Sequence, residues 1–166
     1  MVNRPATGFA PLADLKGQTV GSVLDHGAEQ HPNRVFAVFP ETQTKVTWEG
    51  QRQAIVRLQP HLANLGISEG EVVGVLMANG RTALELFLGC MSGRRVSLML
   101  NSVAGIDTLG CVIKHSGIRH LFTDDEHASL ASAAVAASAQ PVKVHQVASD
   151  SGLQLPAIQS DQITDP

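Results

Sequence analysis

Four short apolar runs punctuate the second half of the sequence: Val72–Met77, Val96–Leu100, His120–Thr123 and Val142–Val147. Between successive runs lies enough chain for a helix and its turns, and this alternation constrains the fold more than any other feature. Strands joined through helices pair in parallel, because a parallel crossover needs about a dozen residues to return to the same end of the sheet. Asn79 is placed to cap the first of these helices, a second falls near 105–116, and an Ala-rich third near 126–138. The expected fold class is α/β, with one mostly parallel sheet flanked by helices.

The first half adds a different unit. Thr19 can cap a helix over 20–31, with Val20, Val23, Leu24 and Ala28 on one face and Pro32 ending it. Val35–Phe39 and Lys45–Thr47 flank the turn residues Pro40-Glu41-Thr42-Gln43, which predicts an N-terminal antiparallel hairpin. Thr47 then caps a helix carrying Ile55, Leu58, Leu62 and Leu65 in one stripe, and Gly66 supplies a left-handed end. Residues 1–18, with Pro5, Gly8, Pro11 and Gly17, read as a lead-in. Ser149 to Pro166 contains three Asp, two Pro and no Lys or Arg, and reads as a linker. One α/β unit over 19–148 lies between them.

Composition limits what such a unit does. At 43% hydrophobic and 16% charged, the 166-residue chain buries a core. A net charge of -3 without any block of like charge argues against nucleic acid or an anionic membrane surface as partner. The longest apolar stretch, Val72 to Ala78, is far short of the roughly 20 residues that span a bilayer. The first residues lack the apolar core of a signal peptide, so the expected compartment is the cytoplasm. Cys90 and Cys111 sit in apolar helical patterns and read as buried, reduced thiols.

Chemistry-bearing residues are sparse. His115 and His120 flank a turn at Gly117, but no Cys/His/Asp quartet has zinc-like spacing, so both read as surface or packing histidines. Asp124-Asp125-Glu126 sits at a strand-to-helix junction, where acids cap the following helix. Gly70-Glu71-Val72-Val73-Gly74 lacks the spacing of a dinucleotide loop, and no GxxxxGK[ST] occurs. Asn79-Gly80 opens a helix after a strand, so its free amides could meet an anion, but capping alone explains Asn79 and is the favoured reading. No catalytic, cofactor-binding or metal-binding residue is assigned within the chain.

Several short pieces occur in a fixed order: Thr19-Val20, His31-Pro32-Asn33-Arg34-Val35, Val46-Thr47-Trp48, Leu65-Gly66-Ile67-Ser68-Glu69-Gly70-Glu71-Val72-Val73, Asn79, Phe87-Leu88-Gly89, Leu98-Met99-Leu100-Asn101, His115-Ser116-Gly117 and Leu121-Phe122-Thr123-Asp124-Asp125. This succession resembles the N-terminal part of adenylate-forming enzymes of the acyl-CoA synthetase type. The resemblance implies the N-terminal subdomain of that fold, in a parent that joins a carboxylate to AMP, releases pyrophosphate and passes the acyl group to a thiol such as coenzyme A. It implies ATP, Mg and CoA as cofactors of the full-length parent. Its implied partners are the rest of that enzyme, namely a Ser/Thr/Gly-rich phosphate loop ending in Pro-Lys-Gly and a C-terminal domain supplying a catalytic lysine. Neither is found in this chain, which on this reading is an N-terminal fragment, inactive alone. The alternative is a stand-alone, non-catalytic binding or assembly module derived from the same fold.

Departures from the family pattern are specific. Gly50 and Gln51 replace a Glu-Leu pair, Pro60 lies inside the stripe-bearing helix, Arg94 stands where Gly is usual, and Met99 where Pro is usual. Trp48 occupies the family's aromatic position and is expected to pack against the helical layer. An isolated chain of this kind is expected to self-associate through surface that the longer enzyme would cover.

Overall fold

The computed structural model describes residues 17–152. The lead-in expected before residue 17, and the part of the expected linker after residue 152, lie outside the described residues. Thr19 caps α1 (Val20–Gln30) through a reciprocal box: its hydroxyl accepts from the Ser22 amide at 3.1 Å, and the Ser22 hydroxyl accepts from the Thr19 amide at 2.8 Å. Strands β1 (Val35–Phe39) and β2 (Thr44–Thr47) pair antiparallel around Pro40–Gln43, with a register shift between Val35 and Ala37. The hairpin is therefore as the turn chemistry predicts, and Gln43 takes the left-handed conformation.

Thr47 caps α2 (Trp48–Asn64), its hydroxyl accepting from the Gly50 amide at 3.1 Å. The helix runs on through Pro60, whose ring lacks the N–H that would otherwise bond toward Val56. Gly66 adopts φ +80°, the left-handed end expected for it. Trp48 does meet a helix: its ring lies against Gly27 of α1, where any Cβ would collide with it, and Phe36 of β1 meets it edge-on at 4.8 Å between centroids. Only glycine admits that approach.

Then the alternating pattern begins. The elements are β3 (Val72–Leu76), α3 (Arg81–Ser92), β4 (Val96–Met99), α4 (Ile106–Ser116), β5 (His120–Thr123), α5 (Ala128–Ser138) and β6 (Lys143–Gln146). The four strands form one parallel sheet in the order β4-β3-β5-β6. One core layer packs Leu58, Leu62, Ile67, Val73, Val75, Leu86 and Phe122 between the sheet and α2 and α3. The other places Leu76, Leu109, Ile113, Leu121, Ala131 and Ala134 between the sheet and α4 and α5. The two helices of that second layer pack closely, because Gly110 leaves room for Ala137, whose methyl would lie 3.0 Å from an added Cβ. Among the described residues, no helix is long and apolar enough to cross a membrane.

Two expectations about side chains are corrected. Cys90 is buried as predicted, but Cys111 is exposed. The buried stripe of α4 is Leu109, Gly110 and Ile113, and Cys111 falls just off it toward solvent. Asn79 is exposed and does not cap α3: the N-cap position belongs to Gly80, without a side-chain cap bond. A different group serves the first turn, the Ser149 carbonyl, which accepts from the Thr82 amide at 3.1 Å.

Candidate functional site

In an open parallel sheet the ligand crevice lies beyond the carboxyl ends of two adjacent strands whose connections leave in opposite directions. Here those strands are β3, which leads outward to β4, and β5, which leads outward to β6. The crevice is bounded by Ala78-Asn79-Gly80 on one side and Asp124 to His127 on the other.

Asp124 holds the two sides together. One carboxylate oxygen accepts from the Ala78 amide at 2.9 Å; the other accepts from the His127 amide at 2.9 Å and meets His127 Nδ1 at 2.6 Å. Burial pushes its carboxyl up, but these hydrogen bonds outweigh that and leave it below the ordinary carboxylate range. The acids at this junction were expected to cap the next helix. Asp124 does bind the amide at the start of α5, and it also ties β5 to the end of β3. Asp125 accepts from the Gln146 side chain at 2.5 Å, and Glu126 is exposed.

The crevice is occupied by the chain itself. After β6, the Ala148 carbonyl accepts from the Thr82 hydroxyl at 2.6 Å, and the Ser149 carbonyl and Asp150 side chain lie where a Cβ at Gly80 would collide with them. Ser149 to Gly152, which composition assigns to a linker, therefore cross the N-terminus of α3. Beside this crossing opens a groove of about 510 Å³, lined chiefly by Val38 and Phe39 of the hairpin, Leu84 and Phe87 of α3, Asn79 and Met99.

The remaining sequence candidates lie apart. His115 is exposed on α4. His120 is buried on β5, and its Nδ1 lies 2.9 Å from Nε2 of His145 on β6, the rings stacked at 5.2 Å between centroids. Burial lowers both imidazoles below their usual range, helped by the charges of Lys143 and Arg119 around His120 and of His120 and Lys143 around His145. That pairing depends on the β5–β6 register, which places Phe122 against His145, and no local pattern in the sequence signals it. Gly70 ends the turn before β3, far from the crevice end of the strand. Among the described residues, no three His, Cys, Asp or Glu side chains come together as a metal cluster.

The family model described as AMP-binding enzyme matches residues 24–165. The chain belongs to the AMP-binding enzyme family. Among curated relatives it is 27% identical over 128 residues to the probable acyl-activating enzyme 21 of Arabidopsis thaliana, covering 77% of this chain and 22% of that protein. It is 29% identical over 116 residues to the naringenin synthase of Pestalotiopsis fici, covering 70% of this chain and 4% of that one. The chain thus spans less than a quarter of the length of these relatives.

Among solved structures, a Mycobacterium tuberculosis fatty acyl CoA synthetase superposes with TM-score 0.71 at 23% identity, over 82% of this chain and 27% of that one. The N-terminal domain of FACL13 from Mycobacterium tuberculosis superposes with TM-score 0.70 at 22% identity, over 81% and 34%. The fold of this family member is therefore that of the N-terminal domains of acyl-CoA synthetases.

The departures from the family pattern now have locations. Arg94 has φ +55°, so it holds the left-handed conformation that glycine would take without strain. Gln51 is fully buried on α2, and neither atom of its carboxamide has a hydrogen-bond partner among the described residues. Met99 is exposed at the end of an edge strand.

Proposed function

We propose that the chain is the N-terminal scaffold of an ATP-dependent carboxylate-activating ligase. That enzyme forms an acyl-adenylate with release of pyrophosphate and then transfers the acyl group to a thiol such as coenzyme A. The observation that carries this reading is the AMP-binding match over residues 24–165, together with a fold shared with acyl-CoA synthetases. ATP, Mg and CoA belong to the complete enzyme on this reading, and its compartment is the cytoplasm.

The 166 residues by themselves do not catalyse adenylation. Stabilising charge on a transferring phosphoryl group requires pre-organised donors aimed at it. The described crevice instead spends its acceptors on backbone amides and is crossed by residues 148–152. Carboxylate-dependent exchange of labelled pyrophosphate into ATP, measured on the purified 166-residue chain, is expected to stay at background. A signal above background that depends on added carboxylate overturns the scaffold reading.

A second reading, a non-catalytic module that stands alone, is favoured by one feature: both faces of the sheet are covered by the chain's own helices. A cooperative melt of the purified chain supports this reading, whereas a chain that is soluble only beside further segments of a ligase supports the first.

A further inference from the structure

The two edges of the parallel sheet are built differently. β6 is entered through Pro141, carries the exposed charge of Lys143, and leads directly into the segment bound to α3. Proline and lysine on an edge strand both discourage pairing with another strand. β4 has no such guard. From Val96 to Ile106 the chain carries no charged residue, and Val96, Met99, Val103 and Ile106 are all exposed, Val96 at 52% and Met99 at 44%.

Among the described residues, nothing pairs with the outer side of β4. The Val96 amide donates to the Glu71 carbonyl at 2.9 Å and the Leu100 amide to the Val75 carbonyl at 2.8 Å, so the even-numbered residues face β3. Hydrogen-bonding direction alternates along a strand, so the amides and carbonyls of Ser97 and Met99 face outward, away from the sheet. Proline at position 99, usual in the pattern this sequence resembles, would remove one of those donors; methionine keeps it.

We propose that β4 is a pairing edge for a second copy of this chain, forming an antiparallel two-fold interface that continues the sheet from one copy into the other. With Leu98 on the axis, Ser97 of one copy faces Met99 of the second, and each exchanges amide and carbonyl with the other. Opposed residues then point to the same side of the joined sheet, as the pleat demands: Ser97 and Met99 away from Leu98, which packs with the α4 and α5 layer.

Charge selects the antiparallel direction. In this register Val96 falls opposite Leu100 of the second copy, so the two Val96 residues lie roughly 14 Å apart at about 3.4 Å per residue, and the two Arg94 side chains sit outside them at opposite ends of the paired strands. That separation is beyond the screening length of about 8 Å at physiological salt. A parallel arrangement would set Arg94 against Arg94. The stretch Val96 to Ile106 carries no charge to repel its own copy, and Leu98, which faces itself across the axis, is apolar.

The test is sedimentation of the purified 166-residue chain over a dilution series at physiological salt, with far-UV circular dichroism on each variant. The native chain is expected to dimerise reversibly. Met99→Pro, which deletes an outward amide, and Met99→Lys, which keeps that amide and sets a charge on the edge, are each expected to weaken the dimer at least tenfold. Val144→Lys, at the opposite edge, is expected to leave it unchanged. A native chain that stays monomeric at every concentration overturns the proposal, as does a dimer weakened by Val144→Lys and not by the Met99 variants. Should Met99→Pro lose its dichroism, Met99→Lys alone decides: an undiminished dimer there also overturns it.

Discussion

Gln51→Leu is expected to stabilise this protein, against the usual direction of core substitutions. Gln51 lies on the buried stripe of α2 with Ile55, Leu58 and Leu62, and is itself fully buried. Its carboxamide oxygen and nitrogen find no partner among the described residues. A buried polar group left unpaired costs about 1–3 kcal/mol, and burying a leucine side chain contributes about 1.5–3 kcal/mol. Leucine is close to glutamine in volume but branched, and imperfect fit in a packed layer takes back about 1 kcal/mol or more. The net expectation is a gain of about 2 kcal/mol. With a urea slope of about 1–3 kcal/mol/M for a small domain, the midpoint rises by roughly 1 M at unchanged slope. Gln51→Met, unbranched and adaptable, separates polarity from shape: it should gain as well. A midpoint that falls for both variants, with the slope intact, refutes the reasoning and means that the amide is satisfied in solution.

Three further outcomes follow from the geometry. Asp124→Asn removes a charged acceptor that joins the ends of β3 and β5, and is expected to cost about 2 kcal/mol in urea unfolding. Because the Asp124 carboxyl is held low in the folded state, its contribution is complete above about pH 4 and fades as pH falls through the folded value, so the variant should lose less stability on acidification than the native chain. His120 and His145 are also held low, so the stability linked to them is complete above about pH 6.5 and declines as pH falls below it; this decline, read from urea midpoints on either side of that value, should shrink in His120→Leu/His145→Leu. Of the two thiols, Cys111 should react at once with a disulfide reagent, whereas Cys90, pushed up to about 11 by burial, should react only on unfolding, and rapid reaction of both would show that α3 is not packed as described.

The sequence reveals those parts of the molecule that depend on neighbours along the chain. The strand at His120–Thr123 matches its apolar run residue for residue, Thr19 and Thr47 cap the helices they precede, and Gly66 takes the left-handed turn. Each of these is a local decision between a residue and its immediate backbone. Features that depend on distant chain were hidden. Asn79 has the right chemistry for a cap, but the first turn of α3 is served by a carbonyl arriving after β6. His120 finds its partner only through the parallel register of β5 and β6. Cys111 faces solvent where its apolar surroundings in sequence predict burial, because an apolar helix pattern does not say which edge of the stripe faces a neighbour. At the site the same division holds: the acids after β5 were visible as a cap, but the reach of Asp124 across to Ala78 required the sheet order.

Trp48 is the only tryptophan in the chain, and its contacts with Gly27 and Phe36 lie outside the four-stranded sheet. Its fluorescence therefore reports the seating of α1 and the hairpin on the start of α2, while far-UV dichroism averages over the helices throughout the chain. The protein thus carries a native probe of its own cooperativity. If the two signals change together in denaturant, the N-terminal layer and the parallel sheet unfold as one unit. If the emission shifts first, the hairpin layer detaches from a sheet that is still folded, and the boundary between the two units runs through the Trp48–Gly27 contact.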